Sequence, residues 1–160
     1  MSILNPYEKY LDARPVETIL AATPVEIAGL LAAIDPEKAA LRPSPDKWSA
    51  AEIVCHLADC EADDVLRLRR TLAEEGPTLQ LFDQEKWAGF YPGVFAQQAL
   101  EVFSALRGWN LLLIRRALPN AATRLVSHPK RGTITFKTLV ETMAGHDLNH
   151  LNQLRALRQP

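Results

Sequence analysis

Apolar residues recur every three or four positions in four segments of the chain, and prolines and glycines separate these segments. This spacing places apolar side chains on one face of a helix, so it predicts four amphipathic helices. The first predicted helix has a clear start signal: Thr23 is the N-cap, Pro24 occupies the first helical position, and Glu26 completes a capping box. We expect this helix to end at Asp35, which precedes a proline, and a shorter helical piece to lie before it.

The second predicted helix begins at another capping box, formed by Ser49 and Glu52. No proline or glycine interrupts the chain after this box until Gly76, which is followed by a proline and ends the helix. Residues 78–93 contain aromatic side chains without a clean period. This pattern predicts a long, irregular crossover between the second and third helices.

Residues 94–118 form the third predicted helix, and Pro119 ends it. The apolar residues expected on its inward side are Phe95, Val102, Phe103, Leu106, Trp109, Leu113 and Ala117. Residues 123–133 contain a turn between short extended pieces, and the fourth helix follows over residues 135–159. Four substantial helices with almost no strand signal predict an all-α four-helix bundle.

The composition is that of an ordinary globular protein, with 48% hydrophobic and 23% charged residues in a chain of 160. This length predicts one domain over residues 1–160. A net charge of −1 argues against a broad nucleic-acid or membrane surface, and no apolar run approaches the length of a membrane span. The chain start lacks a secretory pattern and the two cysteines are too few for a disulfide framework, so we expect a cytoplasmic protein.

The fourth helix carries two histidines on its apolar stripe, where a bundle would place leucine. His146 and His150 are four residues apart, so their rings lie about 40° apart around the axis and about 6 Å apart along it. Both rings can therefore reach one metal ion. Taken alone, the same spacing is also compatible with two histidines that are solvated or hydrogen-bonded within the core.

A third histidine strengthens the metal hypothesis. His56 lies one turn into the second helix, and it meets His146 and His150 if the second and fourth helices are neighbours. Three neutral imidazoles would leave a divalent ion an open coordination position, which is the arrangement of a catalytic site. The alternative is that His56 only caps a polar pocket against the fourth helix.

The polar residues near these histidines are candidates for orienting them or the substrate. A ligating histidine donates its second N–H to a carboxylate or carbonyl group. The candidates for such partners, and for groups beside the open position, are Asp59, Asp63, Asp147, Asn149 and Gln153. Each of these residues is also compatible with a position on a solvated helix flank. Gly145, within the fourth helix, predicts a close helix contact beside the site. His128 is expected on a surface loop and Cys55 in the core.

Three segments resemble the DinB/YfiT-like family. Residues 47–57, which read KWSAAEIVCHL, look like the opening of that family's second helix. Residues 146–153, which read HDLNHLNQ, are similar to its closing motif, and residues 128–135 resemble its lead-in to the last helix. The resemblance extends from about Pro24 to the chain end, with the motifs in the family's order.

The resemblance implies a four-helix bundle, often a homodimer, in which three histidines bind nickel or zinc. Carried over by motif, these ligands are His56, His146 and His150. The family includes thiol-dependent transferases that use bacillithiol, mycothiol or glutathione, a thiol-dependent isomerase, and proteins named as metal-dependent hydrolases. We therefore expect a metal-dependent enzyme acting on a small molecule, with thiol-dependent S-transfer ranked first. The alternatives are a metal-dependent hydrolase and a non-catalytic, stress-related metal-binding dimer.

Overall fold

The structure is a computed structural model that describes residues 4–157. The elements are helical except for one hairpin. In chain order, after a 3-10 helix (Glu8–Tyr10), they are α1 (Val16–Leu31), α2 (Pro36–Ala39), α3 (Ala50–Ala73), α4 (Gln84–Ala88), α5 (Ala96–Ala121), β1 (Leu125–His128), β2 (Gly132–Thr135) and α6 (Phe136–Leu157). None of the helices within residues 4–157 combines the length and apolar character that a bilayer span requires.

The four long helices enclose one apolar core. Helix α3 packs chiefly on α5, α1 packs on both α5 and α6, and α3 meets α6 on the remaining side. The predicted all-α four-helix bundle is confirmed, with the long crossover between α3 and α5 carrying α4. The neighbouring positions of α3 and α6 satisfy the condition on which the three-histidine hypothesis depends.

Helix α3 begins where the sequence predicts. The Ser49 hydroxyl accepts a hydrogen bond from the Glu52 backbone N–H at 3.2 Å, and the Glu52 carboxylate accepts one from the Ser49 N–H at 2.8 Å. This reciprocal pair satisfies two backbone donors that the first turn leaves free. It fixes the start of the helix, and with it the position of His56 in the second turn.

Helix α1 differs from the prediction, because it is continuous from Val16 and contains Pro24 in its interior. The Thr23 hydroxyl donates to the Ile19 carbonyl at 2.9 Å instead of capping a helix start. An interior proline costs about 3 kcal/mol, but Ile19 and Ile27, on either side of it, are both fully buried. Burial of one continuous apolar face therefore outweighs the proline.

The inward face of α5 is also different from the predicted one. Phe95, Val102 and Trp109 are 67%, 52% and 56% exposed, whereas Arg107 and Asn110 are buried. The apolar pattern was misleading because two polar residues occupy core positions of this helix. The α5 residues that face the core are Ala99, Leu100, Phe103, Arg107, Asn110, Leu111 and Ile114.

Arg107 forms a buried ion-pair network that joins three helices. Its guanidinium donates to the Glu61 carboxylate on α3 at 2.7 and 2.9 Å and to the Asp147 carboxylate on α6 at 2.5 and 3.1 Å. It also donates to the Leu20 carbonyl of α1 at 3.0 Å. Burial disfavours the charged guanidinium, but the carboxylates of Asp147 and Glu61 outweigh this effect and raise the pKa of Arg107.

The segment between α5 and α6 is an antiparallel hairpin of β1 and β2. Helix α5 continues through Pro119 to Ala121, beyond the predicted end, before the hairpin begins. His128 is 8% exposed, which corrects the expectation of a surface position. Its Nδ1 accepts hydrogen bonds from the backbone N–H groups of Lys130 and Arg131 at 3.1 and 3.2 Å. This histidine therefore closes the turn that leads into α6.

Gly145 allows the N-terminal segment to approach α6. A Cβ atom at this position would lie 2.6 Å from the Tyr7 carbonyl oxygen and 2.8 Å from the Tyr7 Cβ, both closer than real Cβ contacts. The glycine does accommodate a close contact, but its partner is Tyr7, which precedes the 3-10 helix, and not another helix as predicted. The Tyr7 ring then lies edge-on against His146, with ring centroids 5.0 Å apart.

A Gly145→Ala variant is expected to lose about 1–3 kcal/mol of free energy of unfolding, because the added methyl group displaces Tyr7. Gly108→Ala on α5 is the matched control, since nothing lies within 4 Å of a Cβ at that position. The control should gain up to about 1 kcal/mol from better helix propensity. Urea unfolding measures both changes, and equal effects of the two variants would contradict the tight contact.

Candidate metal centre

Three histidines meet between α3 and α6. The Nε2 atom of His146 lies 3.2 Å from His56 Nε2 and 3.0 Å from His150 Nε2. One ligand atom from each of the three lies within 4.8 Å of the others, and no further His, Cys, Asp or Glu within residues 4–157 joins this group. The structure therefore brings together the three residues that the sequence singles out.

The separations of the nitrogen atoms suit a single ion. Metal–imidazole bonds of about 2.0–2.1 Å in a tetrahedral site place two ligand nitrogens about 3.3 Å apart. The observed 3.0 and 3.2 Å are close to this value. An uncharged imidazole carries one N–H and one lone pair, so three Nε2 atoms directed at one another cannot all be satisfied by mutual hydrogen bonds. The donor set fits a divalent cation.

The three imidazoles are neutral at physiological pH. Burial, together with the neighbouring His150, lowers the pKa of His56 to about 3. Burial also lowers the pKa of His146 well below its ordinary value and reduces that of His150. A neutral ring has the free lone pair that coordination needs, so protons compete weakly for these nitrogens.

Gln153 orients one of the three rings. The side-chain oxygen of Gln153 lies 2.9 Å from His150 Nδ1, and because an amide oxygen only accepts, Nδ1 carries the hydrogen. This tautomer leaves the His150 Nε2 lone pair directed at the other two histidines. Of the five polar residues proposed to surround the site, Gln153 alone hydrogen-bonds one of the three histidines within the described part of the chain.

The three candidate carboxylates have other partners. Asp59 accepts a hydrogen bond from the Tyr91 hydroxyl at 2.7 Å, Asp63 pairs with Arg67 at 2.6 Å, and Asp147 belongs to the Arg107 network. None of them hydrogen-bonds a histidine of the cluster in the described residues, which corrects the expectation that they orient the ligands. Each is held instead by a partner outside the histidine cluster.

A cavity of about 680 Å³ adjoins the histidine cluster. The residues on its wall that bear on the site are His56, His150, Trp48, Ile53, Asn149 and Gln153. The Trp48 ring lies 4.8 Å from the His56 ring, centroid to centroid, and with Ile53 it makes one side of the cavity apolar. Asn149 lines the same cavity as His56 and His150.

Two residues next to the cluster were not predicted as parts of it. The Tyr7 ring packs on His146, and the Cys60 sulfur lies 3.5 Å from His56 Nε2. Burial and the nearby Asp64 raise the pKa of the Cys60 thiol, so it remains protonated. The glycine at position 145 is the sequence signal for the contact with Tyr7, and Cys60 shares the α3 stripe of His56.

Comparison with known families identifies the superfamily of the chain. The sequence profile of the DinB superfamily matches residues 19–154, which include all three histidines. The chain belongs to the DinB superfamily. The resemblance of its second-helix and last-helix motifs to this family is thereby confirmed.

Relatives of this DinB superfamily chain carry names that refer to metal. A protein of Oceanobacillus iheyensis named "Putative metal-dependent hydrolase" is 27% identical over 111 residues, covering 69% of this chain and 64% of the relative. A protein of the same name from Bacillus mycoides is 21% identical over 113 residues, covering 70% and 65% of the two chains. This chain therefore matches slightly less than two thirds of the length of these relatives.

A solved structure has the same fold. YfiT from Bacillus subtilis, described as a probable metal-dependent hydrolase with an unusual four-helix bundle topology, superimposes with a TM-score of 0.83. The match covers 89% of this chain and 83% of YfiT at 19% sequence identity. At this identity the similarity establishes the bundle topology of the DinB superfamily chain.

Proposed function

We propose that this DinB superfamily chain is a divalent-metal-dependent enzyme acting on a small molecule. The observation that carries the proposal is the convergence of three neutral Nε2 atoms, 3.0 and 3.2 Å apart, beside a cavity of about 680 Å³. The proposed ligands are His56, His146 and His150, and nitrogen donors of this kind suit zinc and nickel. A cavity of this size accommodates a small-molecule substrate.

Three protein ligands would leave a position for water or a thiol on the side of the cavity. A divalent ion supplies acidity to such a molecule, because it lowers the pKa of a coordinated water to about 7 and deprotonates a coordinated thiol. Around this position, Asn149 is available to orient a bound molecule through its amide, and Trp48 to pack against its apolar part. Gln153 holds the His150 tautomer.

Hydrolysis is the first candidate reaction, and the names of the relatives support it. In such a reaction the nucleophile is water, and a site with three neutral histidines needs no carboxylate ligand to activate it. Because the chain covers less than two thirds of these relatives, the reaction is proposed for this chain and not transferred from them.

Thiol-dependent S-transfer is the second candidate, and the placement of the carboxylates supports it. Asp59, Asp63 and Asp147 all have partners away from the cluster, so none of them is placed to act as a general base for water. A thiol that loses its proton on binding needs no such base. The proposed co-substrate is a low-molecular-weight thiol such as bacillithiol, mycothiol or glutathione.

The experiment that distinguishes these reactions begins with metal analysis of the purified protein. Cobalt- or nickel-loaded protein is then titrated with each thiol, and ester hydrolysis is measured with and without thiol. A spectral change on thiol addition that His150→Ala abolishes supports S-transfer, whereas ester cleavage without thiol supports hydrolysis. A metal-binding protein that shows neither response would be the non-catalytic alternative. The homodimer and the cytoplasmic location remain predictions, which sedimentation equilibrium and cell fractionation test.

Replacing Gln153 with leucine is expected to reduce metal affinity by about 10–100-fold, the usual effect of losing a group that orients a ligating histidine. Gln153 is exposed, so the free energy of unfolding should change little. Gln153→Glu keeps an oxygen acceptor for His150 Nδ1 and should retain the affinity. Competition with a chromophoric chelator measures the three affinities. Identical values for all three proteins would rule out an orienting role for Gln153.

A further inference from the structure

A second cavity, of about 520 Å³, lies between α3, α5 and the end of the crossover. It shares no lining residue with the cavity beside the histidines, because Cys55, Ala58 and Asp59 face it from the other side of α3. Its remaining walls come from α4 and the following residues and from the first two turns of α5. We call it the aromatic cavity, after Trp87, Phe90 and Tyr91 in its lining.

The aromatic cavity contains a single charged residue. Its lining is Cys55, Ala58, Asp59, Trp87, Phe90, Tyr91, Val94, Gln98, Ala99 and Val102, in which Asp59 is the only ionisable carboxylate and lysine and arginine are absent. Phe90 is 85% exposed, so its ring is accessible to a ligand in this cavity. An apolar wall around one negative charge is a binding surface for a ligand of opposite charge.

Asp59 also differs from the other acidic residues of α3. Glu52 pairs with Arg42, Glu61 with Arg107, and both Asp63 and Asp64 with Arg67. Asp59 forms no ion pair with any residue in the described part of the chain, although it is half-buried. Its negative charge is therefore available to a cationic ligand, because no side chain in residues 4–157 neutralises it.

Tyr91 positions this carboxylate. Its hydroxyl donates to Asp59 Oδ2 at 2.7 Å, and the Tyr91 side chain is itself buried, so the carboxylate is held in one orientation. Asp59 Oδ1 has no hydrogen-bond partner among the described residues and is available to a ligand. Aromatic rings on the same walls attract a cation through their π faces, which adds to the attraction of the carboxylate.

We propose that the aromatic cavity binds a small organic cation, an amine with an apolar body. The ammonium group pairs with Asp59, and the apolar body packs against Trp87, Phe90 and Val102. Because the two cavities share no residues, this binding is independent of the metal centre and does not rest on the proposed reaction.

The test compares three probes of equal size: 3-phenylpropylamine, 3-phenylpropanol and 3-phenylpropionate. The amine is expected to bind at least about tenfold more tightly than the alcohol, with no binding of the carboxylate, as measured by calorimetry on metal-loaded protein. The indole N–H resonances locate the probe, since Trp87 lines the aromatic cavity and Trp48 the metal cavity. We expect the Trp87 resonance to shift and the Trp48 resonance to stay.

Two variants and one control separate the contribution of charge from that of packing. Asp59→Asn keeps an oxygen for the Tyr91 hydroxyl but removes the charge, and it should lower amine affinity at least about tenfold. Glu101→Gln on α5 removes the same charge outside the cavity and should leave the affinity unchanged. Phe90→Ala should weaken binding without affecting folding, because this side chain is 85% exposed.

Each of the following results would overturn the proposal. Equal binding of the three probes, an unaltered amine affinity in Asp59→Asn, or a shift of Trp48 in place of Trp87 would each exclude a cation site in this cavity. Sedimentation equilibrium tests whether a second copy of the chain occupies the cavity instead. If the amine fails to bind and Phe90→Ala converts a dimer into a monomer, a second copy of the chain covers the cavity and the proposal is wrong.

Discussion

An Arg107→Met variant is expected to lose about 3–5 kcal/mol of free energy of unfolding, the cost of leaving buried charges without their partner. The Arg107 side chain is 2% exposed and holds both Glu61 and Asp147, which are equally buried. Methionine fills much of the same volume but provides no donor, so two carboxylates would remain in the core without a cation. This is a large fraction of the stability of a single domain.

The matched control is Arg70→Met on the surface of α3. Arg70 and Glu74 also form a bidentate ion pair, at 2.9 Å, but both side chains are almost half exposed. Breaking an exposed pair should cost less than about 1 kcal/mol. Urea unfolding of the two variants measures the difference. Losses of similar size would mean that burial does not determine the contribution of the Arg107 network.

Replacing any one of His56, His146 or His150 with alanine should lower metal affinity by more than about 100-fold, beyond the effect of losing an orienting group. Metal content should fall from about one ion per chain to a small fraction, because two imidazoles hold a divalent ion weakly. These variants should retain the helical circular dichroism spectrum, and so should the wild-type protein after a chelator has removed the metal. The apolar core, and not the metal, holds the four helices together.

His128→Ala is the control for this series, since His128 is a buried histidine outside the cluster. Its removal takes away the acceptor for two backbone N–H groups of the turn, so stability should fall while metal content stays constant. Metal analysis by atomic absorption after dialysis gives the stoichiometry. Full metal content in all three cluster variants would refute the assignment of the ligands.

Local interactions explain which parts of the fold could be predicted from the sequence. The capping box of α3 joins Ser49 to Glu52, and the two α6 histidines are separated by one turn, so both depend on residues close in the chain. The bond from His150 to Gln153 spans three positions and is local in the same way. Helical spacing alone places these groups together.

Interactions between residues distant in the chain explain the errors in the predictions made from the sequence. Arg107 lies 46 positions from Glu61 and 40 from Asp147, and without these partners an arginine is expected outside the core. The predicted α5 stripe therefore included the exposed Val102 and Trp109. Asp59 was misassigned for a similar reason, because its partner Tyr91 comes from the crossover, 32 positions away.

The Arg107 network has a consequence for the way in which the site acquires its ion. Glu61 lies five residues after His56 on α3, and Asp147 directly follows His146 on α6, so the network clamps the two helices within two turns of the histidines. The ligands are thus in place before any ion arrives, and capture requires no ordering of the helices. We expect metal uptake to be a simple bimolecular step whose rate rises linearly with ion concentration. Since the clamp lies in the bundle and the cavity walls come partly from the loops, the walls can diverge among relatives without disturbing coordination.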